Sequence, residues 1–144
     1  MDRPDCPLCR EDGGLLIARH AKFRIIRAIG PDEAEFPGFY RVIWNAHEAE
    51  FSDLAAADRE LLMAAVARVE AVVRERLQPD KINLAALGNL VPHLHWHVIA
   101  RHDWDSRWPA PVWAAPRRAT DPARLAALCD RIAACDAAIA GLAF

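Results

Sequence analysis

Residues 93–99 read His93-Leu94-His95-Trp96-His97-Val98-Ile99, three imidazoles alternating with bulky apolar side chains. Such an alternation has the two-residue period of an extended strand, whose side chains point to opposite faces in turn. It predicts one strand with the histidines on one face and Leu94, Trp96 and Val98 on the other. Three polar rings in register on a half-buried strand answer no folding requirement, so the histidine face is expected to do chemistry.

A chain of 144 residues suits one domain and buries about two thirds of the surface its unfolded form exposes, without needing staples. Hydrophobic residues at 53% and charged residues at 26% are an ordinary globular balance. The formal charge of -2 argues against nonspecific nucleic-acid binding, so an anionic ligand has to be held locally. The opening residues Met1-Asp2-Arg3-Pro4-Asp5 lack a signal-peptide core, and no stretch approaches the roughly 20 apolar residues of a membrane span. The expected compartment is therefore the cytoplasm. In a reducing compartment Cys6-Pro7-Leu8-Cys9 reads as a metal pair or as ordinary packing, and Cys129 and Cys135, in an Ala/Leu-rich helical pattern, as small buried hydrophobes.

Along the chain, Leu15–Ala18 and Phe23–Ala28 read as a hairpin, and Gly30–Gly38 as an acidic loop containing Asp32, Glu33 and Glu35. The run Phe39–Trp44 is a third strand. Apolar Leu62, Val66, Val69, Val73 and Leu77 fall three or four apart, predicting a long helix over Ala56–Leu77 that ends before Pro79. Lys81–Leu87 is a fourth strand, Gly88-Asn89 a turn, and Val91–Arg101 the fifth, which carries the histidines and pairs antiparallel with the fourth. Residues 103–119, with Pro109, Pro111, Pro116 and the tryptophans 104, 108 and 113, are expected to drape over the surface. Thr120-Asp121-Pro122 starts a C-terminal helix whose inward stripe is Leu125, Leu128, Ile132, Cys135 and Ile139. His20 and His102 read as exposed turn residues.

Strand rise separates the histidines' chemistry. His93 and His95 stand about 6.6 Å apart at Cα, His93 and His97 about 13 Å apart, so one tetrahedral zinc cannot take all three. A neutral imidazole is a competent nucleophile toward phosphorus, and a second imidazole one pleat away can donate to the nonbridging oxygens.

The run His93–Ile99 resembles the His-φ-His-φ-His-φ-φ motif of the histidine triad (HIT) family. The flanks agree: Lys81–Pro92 looks like the strand and turn before the triad in bacterial members, and Arg101 like the arginine that closes it. The resemblance covers roughly residues 5–115, which gives a HIT domain over 1–115 and a helical extension over 116–144 packed on the same domain. It implies an α+β fold, an antiparallel sheet of about five strands with a long helix, and a homodimer. It also implies a nucleotidyl hydrolase or transferase acting at the α-phosphate of nucleoside phosphoramidates or dinucleoside polyphosphates, with a purine nucleotide substrate. His95 takes the place of the nucleophile, His97 that of the phosphate donor, and Asn83, Asn89 and Asp32 those of substrate-binding groups. Several branches hold a structural zinc on residues matching Cys6, Cys9, His47 and His93, a Cys2His2 set; no organic cofactor is implied.

Three positions depart from the family pattern. Asn89-Leu90 stand where many members have Gln and then Ser or Thr, so Leu90 removes a hydroxyl contact to phosphate. Gly38-Phe39 replaces Gly-His, and Trp44-Asn45-Ala46 lacks the proline before His47. Phe23, Ile25 and Ile43 are candidates for a base pocket or for plain core. The tryptophans 104, 108 and 113 border either the nucleotide site or a dimer contact. Leu90 also leaves room for a nucleotide-binding regulatory module with vestigial hydrolysis, and the weakest alternative puts His93 and His95 on a catalytic metal.

Overall fold

The computed structural model describes residues 2–144. Five strands, β1 (Leu15–Arg19), β2 (Phe23–Arg27), β3 (Phe39–Trp44), β4 (Lys81–Ala85) and β5 (His95–Arg101), form one sheet in the order β1-β2-β3-β5-β4 with every neighbouring pair antiparallel. The helices are α1 (Pro7–Arg10), α2 (Ala56–Leu77), α3 (Pro122–Cys129) and α4 (Ile132–Ala140). This is the α+β architecture expected from the sequence, with the histidine strand β5 inside the sheet rather than at its edge. No helix is long and apolar enough to cross a membrane among the described residues.

One face of the sheet carries Phe23, Ile25, Tyr40, Val42, Val98 and Ala100, and it packs with the α2 and C-terminal helix residues in one core cluster. The predicted stripe of α2 is the buried one, with Leu62, Val69 and Val73 wholly inaccessible. Truncating Leu62 to Ala would cost about 2–5 kcal/mol, the transfer term plus the cavity left behind. Gln78 ends the helix in the left-handed conformation at φ 48, its N–H donating to the Arg74 carbonyl.

Beyond shifts of one or two residues at the ends of β1, β2 and β4, the last ending at Ala85 rather than Leu87, two boundaries differ from expectation. The strand ladder begins at His95, not Val91, because Pro92 has no N–H to give it. The His93 N–H instead turns back to Val91 O at 2.8 Å, and Leu94 N–H reaches Glu48 O at 2.7 Å. His93 therefore precedes the strand that holds His95 and His97. The C-terminal helix is also two helices: Asp121 caps α3 with Pro122 in its first turn, and the chain restarts at Ile132, where Arg131 is anchored on Leu77 O at 3.2 Å at the end of α2. Leu128, Ile132, Cys135 and Ile139 are buried as expected, whereas Cys129 is exposed on the outer side of α3, correcting its reading as a buried hydrophobe.

The C-terminal unit is fastened by polar contacts as well. Tyr40 Oη donates to Asp136 Oδ1 at 2.8 Å, and Arg27 Nε lies 3.2 and 3.1 Å from the two oxygens of the same carboxylate. Burial, with Cys135 and Asp136 alongside, pushes the Tyr40 hydroxyl far above its usual pKa and keeps it a donor.

Candidate active site

On the other face, antiparallel register sets Ile43 opposite His95, Arg41 opposite His97 and Phe39 opposite Ile99. His95 and His97 are thus neighbours on β5, with ring centroids 4.9 Å apart. They line a cavity of about 460 Å³ whose walls include Leu8, Arg41, Asn89, Leu90 and Trp113. The 86–92 connection reaches this cavity because Gly88, at φ +73, reverses the chain after β4, a conformation costly for other residues.

Hydrogen bonds fix which nitrogen of each histidine is free. His95 Nδ1 lies 2.6 Å from the His93 carbonyl oxygen, which can only accept, so Nδ1 carries the proton and Nε2 keeps its lone pair. Arg41 Nε, which can only donate, lies 3.4 Å from His97 Nδ1, leaving the His97 proton on Nε2. One ring offers a lone pair and the other an N–H. Burial lowers the pKa of both rings; the His95 ring and the Arg41 guanidinium add to the effect on His97, which falls to about 3. Both are neutral near pH 7.

Behind them the sulfur atoms of Cys6 and Cys9 and one ring nitrogen each of His47 and His93 all lie within 4.8 Å of one another. Cys6 Sγ and Cys9 Sγ are each 3.5 Å from His93 Nδ1, and Cys9 Sγ is 3.3 Å from His47 Nδ1. Bonds of about 2.0–2.3 Å to a tetrahedral ion would separate neighbouring donors by roughly 3.5 Å, so this set can hold a metal. His93 Nε2–H donates to Trp44 O at 2.6 Å, which turns the Nδ1 lone pair toward the sulfurs. Arg24, only 5% exposed, keeps the N-terminal segment on the sheet by donating to the carbonyls of Leu8, Glu11 and Asp12 and to Asn45 Oδ1. Pro7 and Leu8, between the two cysteines, line the histidine cavity, so the metal-ligand cluster and the cavity share a wall.

Of the residues singled out in the sequence, the fold brings His95, His97 and Asn89 to one cavity and Cys6, Cys9, His47 and His93 to one cluster. Asp32 is exposed on its loop and Asn83 accepts from Arg101 Nη1 at 2.8 Å in a neighbouring groove, so neither lines the histidine cavity. Phe23 and Ile25 belong to the core on the opposite face, and Ile43 packs with Cys6, Leu8 and Ile26. His102, expected to be exposed, is 7% exposed and stacks on Trp104 with centroids 5.1 Å apart. The three tryptophans do not form a cluster. Trp104 packs on the main core, Trp108 sits beside the Arg101 guanidinium, and Trp113 lines the cavity with its ring 5.2 Å from that of His97.

Sequence reasoning missed Arg41, and it offered Trp113 only as one of three tryptophans bordering either the nucleotide site or a dimer contact. An arginine in the middle of Phe39-Tyr40-Arg41-Val42-Ile43-Trp44 was a usable signal, since an apolar central strand has no structural use for an isolated cation. Nothing local marked Trp113 out from its neighbours.

The HIT domain family model matches residues 16–104. Among solved structures, the chain is similar to a histidine triad protein from Bradyrhizobium japonicum at 29% identity, covering 84% of this chain and 92% of that one, with a TM-score of 0.65. It is similar to a histidine triad protein from Sinorhizobium meliloti at 25% identity, covering 83% and 90%, also with a TM-score of 0.65. One from Marinobacter aquaeolei, 22% identical over 89% and 87% with a TM-score of 0.68, shares the fold. No match was found among curated proteins. The matched span contains all three histidines and every strand residue except Leu15 at the start of β1, and the chain belongs to the HIT family.

Proposed function

We propose that the protein is a nucleotidyl hydrolase or transferase that cleaves nucleoside phosphoramidates or dinucleoside polyphosphates at the α-phosphate through a covalent nucleotidyl-His95 intermediate. The observation that carries this reading is the pair of complementary tautomers, a free lone pair on His95 Nε2 beside an N–H on His97 Nε2, at one cavity. His95 Nε2 attacks phosphorus as the P–N or P–O bond opposite it breaks; the leaving group keeps the bonding electron pair, and a leaving amine takes up a proton from solvent as it departs. The His93 carbonyl accepts from Nδ1–H and favours the positive charge that the imidazole ring acquires when Nε2 bonds to phosphorus. His97 Nε2–H and the Asn89 amide donate to the nonbridging oxygens. Water then displaces the histidine and releases the nucleoside monophosphate, or in transfer another acceptor displaces it and carries the nucleotidyl group away.

Family membership supports a nucleotide-binding, hydrolase-type function for the chain. We further assign a structural zinc to Cys6, Cys9, His47 and His93; with four protein ligands the ion has no open position for substrate, and it fastens α1 to the segment leading into β5. A homodimer fits β4, which is an edge of the sheet and exposes Leu84. A purine nucleotide is the substrate class we favour.

The test is to quench the protein with an adenosine phosphoramidate labelled on phosphorus. Wild type is expected to retain acid-labile label, and His95→Ala to lose both label and turnover; an unchanged rate in His95→Ala would refute the reading. Leu90, 97% exposed and without a donor, supports a second reading, a nucleotide-binding module with residual hydrolysis. Saturable binding with background turnover in wild type would establish that one.

A further inference from the structure

We infer that Arg41 is the phosphate receptor of this cavity, a catalytic residue that takes up the negative charge of the substrate while His97 and Asn89 supply neutral donors. The inference rests on the nucleotide reading above and names the side chain on which that reading's charge balance depends. Among the described residues, Arg41 is the only one lining the cavity with a formal charge. The other polar side chains there are His95, His97 and Asn89, and the loop tip Leu90 contributes none.

Its position follows from the fold. Arg41 lies mid-strand in β3, paired with Ile26 on one side and His97 on the other, so backbone hydrogen bonds on both edges fix its Cα. The guanidinium lies 5.3 Å from the centre of the Phe39 ring, and the side chain is 23% exposed. Its Nε–H reaches His97 Nδ1 at 3.4 Å, one Nη1–H reaches Gly13 O at 3.5 Å, and Nη2 stands 3.7 Å from Glu33 Oε1. A guanidinium has five N–H donors, so two remain after these three contacts. All three contacts are long, which leaves the group less committed than the buried Arg24 or Arg101. An anion entering a partly desolvated, apolar-walled cavity loses hydration, and a fixed cation with unspent donors compensates for that loss. The same group orients His97 by occupying its Nδ1, which ties charge uptake and proton placement to one residue.

Glu33 supplies the opposing charge. Its carboxylate, on the acidic loop, holds part of the Arg41 charge before substrate arrives. Neutralising it frees Arg41, so two variants are expected to move the same quantity in opposite directions.

The experiment measures the affinity of AMP relative to uncharged adenosine by calorimetry, with turnover of an adenosine phosphoramidate alongside. Arg41→Gln is expected to cut the AMP advantage about tenfold, leave adenosine affinity unchanged, and lower kcat by about 10²-fold, with Arg41→Lys in between. Glu33→Gln is expected to raise the AMP advantage several-fold. Thermal melting and metal content of each variant, equal to wild type, separate this from a folding defect; should Arg41→Gln fail to fold, Glu33→Gln decides alone. An AMP advantage unmoved by either substitution overturns the assignment of Arg41 while leaving the nucleotide reading intact. A wild type that binds neither AMP nor adenosine overturns both.

Discussion

The carbonyl oxygen of His93 lies 2.6 Å from Nδ1 of His95, so a residue of the metal-ligand cluster holds the candidate nucleophile through its own backbone. His93 is fixed on the other side by Trp44 O and is fully buried. A metal held by this cluster would therefore be linked mechanically to the position of the His95 ring.

The first prediction follows from that link. Purified without chelator, the protein is expected to carry one zinc per chain, and stripping it should lower the melting temperature, since ligand binding to the folded state adds directly to stability. Cys9→Ser should reproduce the loss. Metal analysis showing no zinc, or a melting temperature indifferent to chelation, contradicts the assignment.

Asp105 and Arg101 form an ion pair at 2.8 Å with side chains 4% and 2% exposed, and Arg101 also donates to Ala110 O at 2.7 Å. Burial raises the Asp105 pKa, but the Arg101 partner and the backbone N–H groups of Arg107 and His102 outweigh it, so the carboxyl titrates below its usual range. This pair pins the segment that presents Trp113. Asp105→Asn should cost about 3–5 kcal/mol in urea unfolding, because it leaves a buried charge uncompensated. The exposed cap variant Asp121→Ala should cost only about 1 kcal/mol, and equal effects from the two would contradict this account.

Acid stability carries the mark of His97. Its folded pKa of about 3 lies below the ordinary 6.5, so between those values the unfolded chain binds a proton that the folded chain does not. Stability should fall as pH is lowered from 6.5 toward 3, and this contribution should level off below 3. His97→Asn should flatten that limb in denaturation measured across the range. A slope identical to wild type argues that the ring is not held neutral.

The C-terminal helices belong to the same cooperative unit as the sheet, on our reading. Leu128, Ile132, Cys135 and Ile139 share the core cluster with α2 and Tyr40. Deleting residues 121–144 should therefore abolish folding rather than leave a trimmed domain, as judged by loss of a cooperative melt. A soluble deletion variant melting like wild type would show residues 121–144 to be dispensable.

How much of this was legible in the sequence depends on how local the determining physics is. The α2 stripe and its ends were fully readable, because helical periodicity and the Gln78-Pro79 stop are local properties. The fifth strand was readable in kind but not in extent: alternation ran through His93, while Pro92, three residues before His95, has no N–H for the ladder, and pairing begins only at His95. The split between α3 and α4 was hidden because it depends on Arg131 meeting the end of α2. His102 was misjudged for the same reason, its burial coming from Trp104 and the packing of distant helices.

By itself the sequence determined the chemistry on offer: three spaced imidazoles, a Cys-x-x-Cys pair, the strand and helix periods, and through them the fold class. Tertiary structure alone decided which atoms meet and which nitrogen of each ring is left free. Cys6, Cys9, His47 and His93 meet only when the chain folds back over 87 residues, and the tautomers of His95 and His97 depend on the His93 carbonyl and on Arg41, across the β3–β5 pair. A side chain's identity is local, but which atom it must donate to or accept from is set by whatever folding places against it.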